Sequence, residues 1–149
     1  EASFELLVKN YLGLMDMFFD IVYFKTIGET SDDRQAPASA MIKVRVDGKT
    51  QIGADEGDGP VNAIDNAMRS ALKVFYPKVE DMRLVDYKVR VVDGNAATAA
   101  MVRVLIETTD GEDVWTTVGA STDIIGASVT ALADSIRYKL LKDTEKGIR

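Results

Sequence analysis

The chain has 149 residues, 46% hydrophobic and 28% charged, with a net charge of −6; that balance suits an ordinary globular unit able to bury its own core. It contains no cysteine and no histidine, which removes disulfides, thiolate chemistry, the commonest metal ligand and the Ser-His triad. The acidic balance lacks the cationic stripe of a nucleic-acid binder, and no apolar run approaches the ~20 residues that span a bilayer.

No signal-peptide pattern opens the chain. It begins at Glu1 and not at methionine, so the expectation is a piece of a longer, cytoplasmic protein. The first element is a helix: Phe4, Leu7, Val8, Tyr11 and Leu12 recur at helical spacing before Gly13. Residues 1–20 are therefore assigned to a linker helix, and 21–149 to the main domain.

From residue 21 the apolar run "IVYFKTIGE" predicts a strand, and "ETSDDRQAPAS" (29–39) a polar loop. Ile42, Val44 and Val46 then alternate with polar residues as in a strand with one buried face. Asp47-Gly48 marks a hairpin, and "KTQIGA" is the returning strand. After it comes the stretch "GADEGDGPVNAIDNAMRSAL", a glycine-rich bend opening onto a helix whose stripe is Ala63, Ala67, Met68, Ala71 and Leu72.

The bend lacks the Gly-Lys-Ser/Thr of a phosphate loop and the ligand spacing of a calcium loop. It is not a dinucleotide fingerprint either, since no parallel βαβ unit surrounds it. It does supply a helix start, with Asp58 near the cap and Pro60 in the first turn. Free N–H groups there can receive a carboxylate, and Gly57 and Gly59 leave room for close approach. The competing reading is a capped helix after a flexible turn. The neighbouring acids Asp55/Glu56 and Asp32/Asp33 read as solvated loop residues and not as a catalytic dyad.

The pattern then repeats. "MRLVDYKVRVVDG" is a strand; Val102, Val104 and Ile106 alternate; Asp110-Gly111 marks a turn; "VWTTVGA" returns. Ala127, Ala131, Leu132, Ser135 and Ile136 form the matching helix stripe, with Ser121 and Thr122 available as caps. The alanines read as contacts of each helix with its sheet, or as close approach of one helix to another. Leu105 breaks the alternation, and Val114 and Trp115 sit on a short strand with little core to occupy. A dimer that covers the second sheet faces is expected. "KDTEKGIR" reads as a charged tail.

The fold class is thus α+β. Two βββα repeats (21–77 and 82–142), each an antiparallel three-stranded sheet with one helix, are expected to be related by a pseudo-twofold axis.

"GDGPVNAIDNAM" resembles the Gly-Asn/Asp-Gly-Pro-x-x-Ala helix entrance in the C-terminal regulatory domain of 2-isopropylmalate synthases and citramalate synthases. The likeness runs from "ASFELLVKNYLG" to "DSIRYKLL", nearly the whole chain, and the second repeat is more similar to the citramalate branch. The resemblance implies a homodimerising, non-catalytic regulatory domain that binds an end-product amino acid and damps a catalytic domain in the same parent chain. That parent would be an acyltransferase condensing acetyl-CoA with a 2-oxo acid on a divalent metal, with no cofactor in the present segment. The effector would be isoleucine and the oxo acid pyruvate; the alternative branch takes leucine and 2-oxoisovalerate. A ligand-free dimerisation module is the further alternative.

On this reading the helix start at Asp58, Gly59 and Pro60 receives the effector's charged groups. Val61, Ile64 and Met68 line an apolar slot, and Leu105 from the second repeat closes it.

Overall fold

A computed structural model describes residues 2–11, 18–28, 30, 31, 34, 35, 37–92 and 100–147. Gly13, the end of the leading helix in the sequence reading, and the Asp32/Asp33 pair lie outside them. The chain divides into two compact units, Phe18–Glu80 and a second made of Glu1–Met17 with Asp81–Arg149.

In the first unit, β1 (Asp20–Ile27), β4 (Ala38–Val46) and β5 (Lys49–Gly57) form an antiparallel sheet in the order β1-β4-β5, followed by α2 (Pro60–Leu72). A two-residue pair, β2 (Thr30–Ser31) with β3 (Arg34–Gln35), interrupts the polar loop. Asp47 and Gly48 both adopt positive φ, at 50° and 78°. That is the signature of the two-residue turn whose twist matches a hairpin. The even residues of β4 from Ala38 to Val46 are buried, and the stripe Ala63, Ala67, Met68, Ala71 and Leu72 is fully buried. A short 3-10 helix, Pro77–Asp81, ends the unit.

The second unit repeats the plan: β6 (Arg83–Val91), β7 (Val102–Thr109) and β8 (Val114–Ser121) in the order β6-β7-β8, then α3 (Ile124–Glu145). The leading helix α1 (Ala2–Tyr11) belongs to this unit and packs on β8 and α3, where Ser3 Oγ accepts the Val118 N–H at 2.8 Å. Val104, Ile106, Ala127, Ala131, Leu132 and Ile136 make the core.

Three local expectations change. Trp115 is buried, not surplus: its indole N–H donates to the carbonyl and hydroxyl oxygens of Ser135, and its ring meets Tyr138 at 5.5 Å. The helix is closed at its start by Asp123, not by Ser121 or Thr122. The first half of the charged tail, residues 142–145, continues α3, and Lys142 and Lys146 reach acids on the β7–β8 turn.

The alanine stripes are explained by glycines opposite them. Gly53, paired with Ile42, would place a Cβ against the Ala67 carbonyl and the Ala71 amide. Gly119, paired with Val104, would place one against the Ala127 carbonyl. Each helix therefore rests on bare strand backbone in its own sheet. The outward face of the first sheet stays partly apolar, with Tyr23, Ile27 and Ile52 exposed on it. In the second unit α3 lies over β7 and β8, and Tyr87, Val89 and Val91 on β6 remain exposed.

Candidate functional site

The stretch read as a glycine-rich bend is mostly strand: Gly53 and Gly57 lie in β5, paired with Ile42 and Ala38, and only Asp58 and Gly59 bend before α2. The fold uses the two strand glycines. Gly53 admits the helix, as above. Gly57 admits the first turn: a Cβ there would lie 2.5 Å from both the Ala63 nitrogen and Asn62 Oδ1. Gly59 differs. A Cβ on it would meet nothing within 4 Å, and its backbone is extended, with φ −153° and ψ 175°. Neither packing nor conformation demands glycine at this position, and the space in front of it is open.

Gly59 is the N-cap of α2, and no side chain caps this end. Pro60 occupies the first helical position, where a missing N–H costs nothing. The Ala63 N–H returns to the Gly59 carbonyl at 3.0 Å. Asp58 does not turn its carboxylate onto the helix; its own backbone N–H donates to Asn62 Oδ1 at 3.1 Å. The first turn carries no acidic residue, so the positive end of the helix dipole meets no carboxylate of its own turn.

The second unit supplies the internal comparison. At α3 the Asp123 carboxylate accepts from the Ile125 and Gly126 N–H groups at 3.0 and 3.1 Å. One helix entrance is thus closed by the protein's own carboxylate, and the other has no side-chain cap. Sequence reasoning left the α2 entrance either open to a carboxylate or capped, and at the second entrance it named Ser121 and Thr122 where the cap is Asp123.

The structure brings Asp58, Gly59, Pro60 and Val61 together at the open entrance. Val61 is half-buried, whereas Ile64 and Met68 are fully buried, so only Val61 offers apolar surface that solvent can reach. Leu105 belongs to the other unit, half-buried on β7 on the face away from Val104 and Ile106. Within the same helix Asp65 is buried and bound by Arg69 at 2.6 Å. Burial pushes its carboxyl up, against the pull of the Arg69 guanidinium. Among the described residues no group of three acidic side chains is gathered to hold a metal, and the chain has no histidine or cysteine to do so.

Residues 1–140 match the family model described as the LeuA allosteric (dimerisation) domain. The chain is 51% identical over 146 residues to an (R)-citramalate synthase of Geobacter sulfurreducens, which covers 97% of this chain and 28% of that protein. It is 47% identical over 149 residues to one of Aquifex aeolicus, covering 99% and 28%, and 42% identical over 144 residues to one of Synechocystis, covering 94% and 26%. The chain therefore spans under a third of the length of these relatives.

Proposed function

The chain belongs to the LeuA allosteric (dimerisation) domain family, and from that premise we propose that it is the dimerising feedback-regulatory part of a cytoplasmic citramalate synthase, with isoleucine as its effector. The observation that carries the reading is the uncapped entrance of α2, with open space before Gly59. An amino acid's carboxylate is received there by first-turn N–H groups and the helix dipole. The Asp58 carboxylate, which caps nothing, is placed beside the entrance to meet the ammonium. Val61 gives the first apolar contact, with Ile64 and Met68 packed behind it on the same helix.

Condensation of acetyl-CoA with pyruvate takes place elsewhere in the parent chain, and any metal it uses is held by residues outside this segment. Exposed Tyr23, Ile52, Tyr87, Val89 and Val91 support a homodimer that covers them. No helix among the described residues is long and apolar enough to cross a membrane. Effector binding acts on the catalytic part through its unequal affinity for two states of the dimer.

Calorimetric titration of the chain with isoleucine, leucine and valine tests the reading. Saturable heat, strongest with isoleucine and lost in Gly59→Phe, is expected; heat from none of the three would defeat it. A stronger response to leucine would instead favour regulation of a 2-isopropylmalate synthase. Burial of Ile64 and Met68 favours a second reading, dimerisation without a ligand. Under that reading the melting temperature stays fixed with every amino acid tried, whereas an effector at a hundred times its Kd stabilises by about 2.7 kcal/mol.

A further inference from the structure

Along the flank of α2, away from its entrance, the first unit holds a cavity of about 270 Å³ lined by Asp55, Asn66, Arg69, Ser70, Lys73 and Glu80. Asn66, Arg69, Ser70 and Lys73 stand at i, i+3, i+4 and i+7, one face of the helix. Asp55 comes from β5 and Glu80 from the 3-10 helix. The volume lies below the roughly 300 Å³ at which pockets for drug-sized molecules begin, so any guest is small.

Every lining residue is polar, and the surface it offers is mostly polar, which does little to select a branched aliphatic side chain. Among the lining side chains Arg69 and Lys73 stand against Asp55 and Glu80, and Arg69 is also paired with the buried Asp65 outside the lining. An anion alone would meet two carboxylates, and a cation alone two basic groups. A molecule that carries both charges matches both walls.

Part of the wall is held in place. The Arg69 guanidinium is fixed by Asp65 at 2.6 Å, and the Asn66 amide donates to the Glu56 carbonyl at 3.0 Å. The other part yields easily: Lys73 and Glu80 pair at 3.2 Å, but their side chains are 47% and 62% exposed. An ion pair of that exposure contributes at most about 1 kcal/mol, so a ligand's own charged groups can replace it at little cost.

We infer that this cavity is a second ligand site, for a small hydrophilic zwitterion of the free polar amino-acid class. In the bound arrangement Arg69, Lys73 and the Ser70 hydroxyl take the carboxylate, and Asp55 with Glu80 takes the ammonium. The site is independent of the branched-chain effector reading, because it uses a different stretch of α2 and a different ligand chemistry.

Amide NMR titration of the chain with L-glutamine and L-serine tests the inference, with sulfate and methylammonium as single-charge probes. Saturable shifts at Asn66, Ser70 and Lys73 are expected with an amino acid, and weaker ones with either single-charge probe. Glu80→Gln should weaken glutamine binding at least threefold while strengthening the sulfate response, because it frees Lys73 and removes one of the two opposing carboxylates, and Ser70→Ala/Lys73→Ala should weaken glutamine binding at least tenfold. Both variants alter the cavity rim, and a retained melting temperature excludes unfolding as the cause. Isoleucine heat that survives in Glu80→Gln separates this site from the α2 entrance. Absence of saturable shifts with both amino acids, or sulfate binding as tightly as they do, would overturn the inference.

Discussion

Lys139 Nζ lies 2.9 Å from Asp110 Oδ2 and 3.0 Å from Asp143 Oδ1, joining the turn between β7 and β8 to the last turns of α3. Burial would raise the Asp110 carboxyl, but N–H groups of Asp113 and Glu112, with Lys139, hold it well below the usual carboxylate range. Burial would likewise lower Lys139, but hydrogen bonds to Asp110 and Asp143 raise it.

A depressed carboxyl pKa contributes stability that is present above the unfolded value, about 4, and is lost as pH falls below it. A raised lysine pKa contributes stability that is present below about 10.4 and is lost as pH climbs above that value. The chain should therefore hold a level melting temperature between about pH 5 and pH 10 as far as this cluster is concerned. Asp110→Asn should flatten the acid limb of that profile. Lys139→Met, which strips the buried Asp143 of its cation and leaves Asp110 only Lys142 at 3.3 Å, should destabilise by about 3 kcal/mol at pH 7, read by urea melts.

Glycine substitutions divide by what stands opposite them. Gly53→Ala and Gly119→Ala push a methyl into helix backbone and should each cost about 3 kcal/mol. Gly59→Ala enters open space and should change stability by less than about 0.5 kcal/mol. Thermal melts of the three variants check the ordering.

Removing Arg69 strands Asp65. Arg69→Met should cost about 3 kcal/mol at pH 7. A carboxyl whose folded pKa is raised is easier to protonate in the folded chain, so the penalty should shrink as pH falls toward 4. A penalty that stays constant from pH 7 to pH 4 would show that the buried charge is not its source.

The two entrances differ in what a truncation removes. Asp123→Ala deletes a cap that serves two N–H groups and should cost about 1 kcal/mol. Asp58→Ala deletes a carboxylate that caps nothing and should leave the melting curve within about 0.5 kcal/mol of the parent chain. Equal losses from the two changes would contradict the asymmetry.

Much of this fold was legible in the sequence because its signals are local. The Asp47-Gly48 turn, the alternation of Ile42, Val44 and Val46, and both helix stripes need only neighbours within a few residues. The use of Gly53 and Gly57 was not legible, since only the crossing of strand and helix shows that their missing side chains are filled by the chain itself. Ser121, Thr122 and Asp123 all favour a cap, and sequence offers no means to choose among adjacent candidates. Trp115 was misjudged because its partners Ser135 and Tyr138 are some twenty residues away. Of the site, the α2 entrance was visible as a motif. The polar cavity was not, because each residue lining it reads singly as an ordinary solvated side chain.

The contact between Gly53 and the main chain at Ala67 and Ala71 has a mechanical consequence. Where side chains separate a helix from its sheet, rotamer changes can absorb a push; here backbone bears on backbone, and little is left to yield. The thirteen residues of α2, about 20 Å at 1.5 Å per residue, should move as a rod. A nudge at Gly59 would then reach Leu72 almost undiminished.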